Sequence, residues 1–195
     1  MPLQKVALDG TFVRLEPLEE RHRELVRPAA QHPEIFTVTT SALGPLFDPY
    51  IDNALKRSDG AHELAFVVWH KQQDRAVGMT RYLNIEEAHK RLEIGSTWYE
   101  PSVWAGAVNP ECKLLLMRHA FETLRFHRVE YKTDARNLRS RAAILKLGAV
   151  QEGILARHMI MADGHIRDSV IFSIIDTGWP AVKAGLEKRL AAPPR

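Results

Sequence analysis

The chain has 195 residues, of which 45% are hydrophobic and 26% are charged, and its formal net charge is +3. These values are ordinary for a soluble globular protein, and the length suits one domain with a sizeable core. No stretch approaches the roughly 18–20 apolar residues of a membrane-spanning helix, and the N-terminus lacks the apolar core of a signal peptide. The single cysteine, Cys112, excludes an internal disulfide and a cysteine-based zinc site. We therefore expect one cytoplasmic domain over 1–190 with a frayed tail at 191–195, and no association with a membrane.

The N-terminal residues predict a hairpin followed by a helix. Two short alternating runs, 4–8 and 12–16, flank an Asp-Gly pair at 9–10, which favours the tight turn of a hairpin. Residues 19–30 carry Glu/Arg pairs at helical spacing and predict a helix, which Pro28 is expected to end or kink.

The middle of the chain changes from loop to sheet. Residues 32–49 are rich in Pro, Thr and Gly and predict an irregular loop, and 52–57 predict the last helical turns before the sheet. Apolar runs separated by turns then predict antiparallel strands over 64–70, 76–83 and 91–99.

The most informative stretch follows these strands. A loop of small residues, 104–110, leads into an amphipathic helix predicted to open at Glu111 and to run to residue 126. A strand over 129–132 then leads into a second helix, with Asn137 as its N-cap and Gly148 just after its last turn. Two helix N-termini at one end of a sheet present unpaired N–H groups and the positive ends of two helix dipoles. Such an arrangement suits a pyrophosphate.

The C-terminal residues complete the sheet. Residues 154–161 and 166–175 predict a long hairpin, and 179–190 predict a closing helix. Strands and helices therefore share one domain, and the pattern predicts an α/β domain with a mixed sheet.

The densest basic region coincides with the predicted phosphate-binding end of the sheet. It consists of Arg125, Arg128, Lys132, Arg136, Arg139, Arg141 and Lys146. A solvated helix face is an equally good explanation. A nucleic-acid-binding protein more often shows a one-sided basic stripe interleaved with aromatic residues, so we expect no nucleic-acid partner.

Residues 8–18, 94–101 and 137–148 together resemble the GCN5-related N-acetyltransferases (GNAT), in the branch that includes ribosomal-protein N-terminal acetyltransferases. The first segment is similar to the opening strand of that branch. The second resembles the family's fourth strand, whose exposed backbone pairs with pantetheine, and the third resembles its asparagine-led helix. The resemblance covers nearly the whole chain.

This resemblance implies an α/β (α+β) fold with a mixed, mostly antiparallel sheet of about seven strands. Helices flank that sheet, and a central parallel pair of strands splays at the cofactor site. The implied activity is that of an N-acetyltransferase, which moves an acetyl group from acetyl-CoA to a primary amine by direct transfer in a ternary complex, without a metal. The acceptor, a small molecule or a protein N-terminus, stays open, as does the choice between monomer and homodimer. A non-catalytic CoA-binding or interaction domain of the same fold is the alternative.

The resemblance also assigns the residues that bind the cofactor. They are Thr97, Trp98, Tyr99, Trp104, Ala105, Gly106, Ala107, Val108, Asn109, Glu111, Asn137 and Ser140. The family's pyrophosphate loop usually has the pattern Gln/Arg-x-x-Gly-x-Gly/Ala, and here Trp104, Ala107 and Asn109 occupy its three positions. The one loop glycine is displaced to Gly106. Asn109 tolerates left-handed geometry and is a candidate N-cap, whereas Pro110 removes one amide that could donate to phosphate.

Candidate catalytic residues are fewer. Backbone N–H groups near Trp98 and Tyr99 are expected to stabilise the oxyanion. Glu93 is a candidate general base for the amine, or a structural partner of an arginine such as Arg81. Ser140 is a candidate proton donor to the leaving thiolate, or a simple capping residue. Many family members place a tyrosine for that proton four residues before the glycine that ends the second helix, where this chain has Ile144.

Two further expectations concern the first of these helices. Cys112 falls on its apolar face and is expected to be a buried, inert thiol. His119 and His127 are expected to be exposed to solvent.

Overall fold

The apolar runs of the sequence become the strands of one sheet. The structure, a computed structural model, describes residues 2–37, 39, 43–161 and 163–192. The strands within them are β1 (Leu8–Asp9), β2 (Val13–Pro17), β3 (Leu64–His70), β4 (Arg75–Glu86), β5 (Arg91–Tyr99), β6 (Arg128–Asp134), β7 (Val150–Ile160) and β8 (Ile166–Ile175). The α-helices are α1 (Arg23–Val26), α2 (Phe47–Arg57), α3 (Val108–Arg118), α4 (Leu138–Lys146) and α5 (Trp179–Ala191).

The sheet has the order β1-β2-β3-β4-β5-β6-β8-β7. Neighbouring strands are antiparallel except β5 and β6, which are parallel. The expected mixed, mostly antiparallel sheet is therefore confirmed. The structure describes eight strands instead of about seven, because the two-residue β1 pairs with β2 as a strand of its own.

The parallel pair separates after three residues. β5 and β6 are in register at Arg91 with Arg128, at Leu92 with Val129 and at Glu93 with Glu130, and then diverge. We call the space between β5 residues 94–99 and β6 residues 131–134 the fork. Among the described residues, the edge of β5 that faces the fork has no strand partner beyond Glu93, so the expected splayed pair is confirmed.

Two apolar cores lie on opposite faces of the sheet, because successive side chains of a strand point to opposite sides. In β3, Phe66 belongs to the core that also contains α3, α4 and α5, while Val67 belongs to the core with α1 and α2. In β5, Tyr99 faces the first core and Trp98 the second. At the fork, the two faces of the sheet therefore have different surroundings.

Several predicted boundaries were wrong. α2 begins at Phe47, within the predicted loop, because Phe47, Ile51 and Ala54 form a buried stripe and Pro49 is tolerated in a first helical turn. α3 begins at Val108 instead of at residue 111, and a π-helical turn over His119–Thr123 follows it.

The structure also tests the predicted hairpin, the predicted break at Pro28 and the predicted exposure of His119. The N-terminal hairpin is confirmed, but its turn lies two residues later, at 11–12, since the Gly10 amide donates to the Val13 carbonyl at 2.9 Å. The break at Pro28 is confirmed by a short 3-10 helix over Pro28–Ala30. His119 is buried against the Tyr82 ring instead of being exposed.

The C-terminal helix runs to Ala191. Residues 193–195 of the predicted frayed tail lie outside the described part of the chain. None of the described helices is both long and apolar enough to cross a membrane.

Candidate functional site

A β-bulge lies beside the fork. The register of β4 against β5 shifts so that Thr80 alone lies opposite Ser96 and Thr97. Ser96 adopts the left-handed region, with φ of +46°, which is uncommon for a residue other than glycine. A bulge bends its strand and often lies next to a functional site, where it changes the direction of a side chain. Here it bends the strand that borders the fork.

A buried lysine of α3 contacts β5 beside the fork. Lys113 is 6% exposed, and its Nζ donates to Thr97 Oγ1 at 2.8 Å. The Thr97 hydroxyl in turn lies 2.7 Å from Thr80 Oγ1. On the other side, the Lys113 Nζ is 5.8 Å from the centre of the Tyr131 ring. Burial lowers the pKa of Lys113 to about 8, because the charged form loses hydration.

Sequence reasoning missed Lys113. The available signal was its position on the helix, since Leu116 and Met117, three and four residues later, are both fully buried. A lysine at such a position is usually assigned to solvent because its stem can carry the ammonium outward. Here the stem carries the ammonium inward, toward the sheet.

The neighbouring polar groups under α3 are neutral. The Tyr131 hydroxyl is buried and has no hydrogen-bond partner among the described residues, and burial raises its pKa. The Tyr99 hydroxyl donates to Asn109 Oδ1 at 3.3 Å. Cys112 is fully buried, as predicted, and burial raises the pKa of its thiol to about 12. An unpartnered hydroxyl beside the fork marks a place that a polar ligand group or a water can occupy.

Glu93 lies on the opposite face of the sheet, at the last paired position before the fork. It is 4% exposed, accepts a hydrogen bond from Asn84 Nδ2 at 2.9 Å and pairs with Lys132 Nζ at 3.2 Å. The suggested pairing with Arg81 was wrong, because Arg81 instead lies 3.5 Å from the Glu63 carboxylate. Glu93 thus has a structural partner, and the structure does not test its role as a base.

Aromatic side chains form a wall beside the bulge on this second face. Trp98 packs edge-on against Phe36, with ring centres 5.8 Å apart, and its Nε1 donates to the Tyr50 hydroxyl at 3.0 Å. The guanidinium carbon of Arg81 lies 4.8 Å from the centre of the Tyr50 ring. This wall draws on the loop before α2, on α2 and on β5.

The loop before α3 has an unusual backbone. Ala105 adopts the left-handed region with φ of +62°, whereas Gly106 does not. A Cβ added at Gly106 would meet only the Val103 carbonyl oxygen, at 3.5 Å. The residue that takes the glycine-like conformation is therefore Ala105, one position before the loop glycine.

No side chain caps the N-terminus of α3. The N-cap is Ala107, and Asn109 lies in the first turn, so the suggestion that Asn109 caps this helix was wrong. The amides of a first turn have no acceptor within the helix, and Pro110 has no amide to offer. The amides of Val108 and Asn109 are accordingly the ones that an anion at this end can use.

Glu111 faces away from the fork. Its carboxylate accepts hydrogen bonds from the amides of Thr11, Phe12 and Val13 at 2.8, 2.6 and 2.7 Å, and the residue is 4% exposed. A Cβ on Gly10 would lie 2.6 Å from the Glu111 carboxyl carbon, so this glycine permits the close approach. Glu111 therefore holds the N-terminal hairpin, which corrects its assignment to the cofactor site.

The N-terminus of α4 lies on the other side of the fork. Asn137 Oδ1 accepts from the Ser140 amide at 3.0 Å, which confirms Asn137 as the N-cap. Ser140 lies in the first turn, and Ile144 is buried one turn later. The structure therefore has an apolar side chain at the position where the resemblance leads one to expect a tyrosine.

Trp104 and Arg139 connect the two sides. Trp104 Nε1 donates to the Tyr99 carbonyl at 2.8 Å, which fixes the ring at the end of β5. The guanidinium carbon of Arg139, from the first turn of α4, lies 4.0 Å from the centre of this ring. Across the described residues, no three His, Cys, Asp or Glu side chains form a group that could hold a metal ion.

Comparison with known proteins gives one family. Residues 13–150 match the family model of the acetyltransferase (GNAT) domain. The provisionally named ribosomal N-acetyltransferase YdaF of Bacillus subtilis is 28% identical over 106 residues, which are 54% of this chain and 57% of that protein. The match thus spans less than two thirds of that relative.

Solved structures are similar over more of the chain. A GCN5-related N-acetyltransferase from Brucella melitensis is 30% identical with a TM-score of 0.89, covering 98% of this chain and 88% of that one. Mycobacterium smegmatis RimJ in complex with CoA-disulfide shares the fold at 21% identity, with a TM-score of 0.74 over 91% of this chain and 88% of that one. The stretch matched by the family model contains both strands of the fork and helices α3 and α4.

Proposed function

The chain belongs to the GNAT acetyltransferase family, and on that basis we propose that it moves an acetyl group from acetyl-CoA to a primary amine by direct transfer in a ternary complex. The observation that carries this proposal is the fork, which opens between the last paired residues of β5 and β6 and has an uncapped helix N-terminus at one side. A thioester of CoA supplies an activated acyl group and a thiol as leaving group.

The described residues are compatible with a CoA molecule. The free edge of β5 offers backbone N–H and C=O groups to the amide groups of pantetheine. The first-turn amides of α3 and the positive end of its dipole suit a pyrophosphate. The buried Tyr131 hydroxyl beside the fork has no partner within the described structure, as expected where a ligand is to be bound. The RimJ complex with CoA-disulfide supports this assignment at the level of the shared fold.

The proposed reaction relies mainly on positioning. Holding an amine against a thioester in a closed site supplies much of the acceleration in acyl transfer. Backbone N–H groups around Trp98 and Tyr99, next to the bulge, are our candidates for stabilising the oxyanion. Glu93 is the candidate base, because its carboxylate lies at the closed end of the fork. It would take a proton from the amine directly or through water.

For the acceptor we propose a primary amine that enters along the wall formed by Phe36, Tyr50 and Trp98. Aromatic rings beside the buried Arg81 give this wall both apolar and polar groups. A protein N-terminus and a small-molecule amine both fit that description. The name of YdaF favours a ribosomal protein, although the match covers only part of that relative.

The test combines binding and turnover. Calorimetry and thermal melting with acetyl-CoA measure binding, since a ligand of the folded state raises the melting temperature. Release of free thiol from acetyl-CoA is then followed with peptides of varied N-terminal residue, spermidine, an aminoglycoside and free amino acids. We expect binding, and mass addition of an acetyl group to at least one amine. Binding without transfer to any amine would favour a non-catalytic CoA-binding domain, and a lack of binding would overturn both functions.

A further inference from the structure

Lys113 is the one cation that the structure describes between the two strands of the fork on the α3 side. Its ammonium contacts Thr97 of β5 at 2.8 Å and lies 5.8 Å from the ring of Tyr131 of β6. These two residues are on different sides of the separation. The ammonium therefore lies between β5 and β6 in the region where the two strands have separated.

Its surroundings compensate for its burial only in part, through one hydrogen bond to Thr97 and a cation–π contact with the Tyr131 ring at 5.8 Å. A buried ammonium loses hydration, and this loss must be compensated by an ion pair or by hydrogen bonds. Within the described ranges, no carboxylate lies within ion-pairing distance of the Lys113 ammonium, and Thr97 accepts only one of its three N–H bonds. The other two have no acceptor among these residues. Buried titratable groups in a cleft that are costly for stability are frequent at functional sites.

The chemistry of the proposed acetyl transfer needs a proton donor, for which Ser140 is the candidate named above. The sulfur of CoA leaves with an electron pair and needs a proton. At the position of the usual tyrosine stands Ile144, which has no proton to give. The Cys112 thiol is also unsuited, because its pKa of about 12 and its full burial keep it protonated and apart from solvent.

Resting on the proposed function, we propose that the Lys113 ammonium protonates the leaving sulfur of CoA. The lone pair of the acceptor nitrogen forms the new C–N bond, and the C–S bond breaks with its electron pair on sulfur. A proton of the Lys113 ammonium passes to that sulfur, which gives the free thiol. The acceptor nitrogen loses its proton to Glu93, directly or through water, and Glu93 returns it to solvent. The neutral Lys113 amine regains a proton from solvent, so the protons balance.

The acidity of the group suits this step. Proton transfer is most effective when donor and acceptor have similar pKa values near the working pH. The pKa of about 8 for Lys113 lies close to the value of about 8.5 for an ordinary alkyl thiol. The groups that face it are the neutral hydroxyls of Thr97 and Thr80, the Tyr131 phenol and Cys112. Burial raises the pKa of both the phenol and the thiol, so Lys113 alone among them titrates near pH 8.

The experiment uses two substitutions of the same residue. Lys113→Met keeps the length and the apolar stem but has no proton to donate. Lys113→Arg keeps the charge, but a guanidinium does not release its proton in a protein. Lys188→Met, at an exposed lysine of α5, is the control. The probes are acetyl-CoA and the best amine of the panel above, with kcat and KM measured from pH 6 to 9.5.

We expect both Lys113 variants to lower kcat by about 10²-fold or more, in line with the contribution of a general acid, while KM for acetyl-CoA changes by less than about threefold. The wild-type kcat should fall above pH 8 as Lys113 loses its proton, and this alkaline limb should be absent from both variants. Lys188→Met should retain the wild-type profile. Thr97→Val, which leaves the lysine in place but removes its hydrogen-bond acceptor, should lower kcat by about tenfold and shift the limb.

Three results would overturn the inference. Wild-type kcat in Lys113→Met would show that another group or water protonates the thiolate. Restoration of kcat by Lys113→Arg would assign the effect to charge alone. If neither Lys113 variant folds, a Thr97→Val variant with unchanged kcat and pH profile would show that the Lys113 ammonium does not protonate the thiolate. A wild-type protein that neither binds acetyl-CoA nor releases thiol would overturn the proposed function itself.

Discussion

The guanidinium of Arg139 stacks on the indole ring of Trp104, with 4.0 Å between the guanidinium carbon and the ring centre. Trp104 belongs to the segment that follows β5, and Arg139 belongs to the helix that follows β6. The contact therefore joins the two sides of the fork at its open end, close to the proposed pyrophosphate site.

Arg139→Ala should weaken binding of CoA by about 5- to 20-fold. The variant loses a cation near the phosphates and a cation–π contact of about 0.5–1 kcal/mol that holds the loop before α3. Calorimetry at two salt concentrations measures the change, which should be smaller at high salt. Lys188→Ala, which removes an exposed cation of α5, is the control. Equal affinities of wild type and Arg139→Ala at low salt would exclude this contact from the cofactor site.

Ala105→Gly should stabilise the protein. Ala105 has φ of +62°, and a left-handed conformation costs an L-residue about 1–2 kcal/mol. Glycine avoids this cost in the folded state, but its unfolded chain has more conformational entropy to lose, which offsets part of the gain. We expect a net gain of about 0.5–1 kcal/mol in the free energy of unfolding, measured with urea. Gly106→Ala should change it little, because that position is open. A lower stability of Ala105→Gly would show that the methyl group packs favourably.

Lys113→Met should raise the stability of the unliganded protein, in contrast to its expected effect on turnover. Burial lowers the pKa of Lys113 from its ordinary 10.5 to about 8, so between these pH values the unfolded state holds a proton that the folded state has lost. The wild type therefore gains stability as the pH rises through this window. The advantage of the variant should be greatest below pH 8 and should shrink toward pH 10.5. Urea unfolding at pH 7 and at pH 9.5 measures it, and a less stable variant at pH 7 would contradict the assigned burial cost.

Glu93→Gln should lower the rate of acetyl transfer by about 10²-fold or more at neutral pH if Glu93 is the base. The affinity for CoA should be nearly unchanged, because the carboxylate lies on the face opposite α3. The loss should shrink as the pH rises, since free amine then forms without help. Thermal melting gives the structural cost of leaving Lys132 without its partner. Wild-type rates across the pH range would leave Glu93 with that ion pair as its only role.

The strands were the most predictable part of this fold. The bounds of β3, β5 and β8 are those predicted, because β3 is an apolar run and β5 and β8 are apolar-rich segments between turns. The Asn137 cap follows from a local pattern. The start of α2 was missed because Pro49 looks like a helix breaker, although its position in the first turn is harmless. The fork itself needed the family resemblance, since periodicity does not show where two paired strands part.

The roles of two residues of α3 depend on partners that no local pattern shows. The partners of Glu111 are amides 98 to 100 residues earlier in the chain. From the sequence alone, a carboxylate in the first turn of a helix is interpreted as a favourable charge at the positive end of the helix dipole. Lys113 looks like a surface residue until its helix is placed against the sheet. Both required the tertiary packing to be understood.

The hydrogen bonds between the Glu111 carboxylate and the amides of residues 11–13 also matter for how this protein is produced. During synthesis the hairpin leaves the ribosome about 100 residues ahead of the carboxylate that will bind it, and until then its three amides have only water as partner. Removing the first 13 residues would leave a buried carboxylate without donors on the very helix that begins at the proposed phosphate site. A shortened protein that is to keep its fold should therefore retain the hairpin.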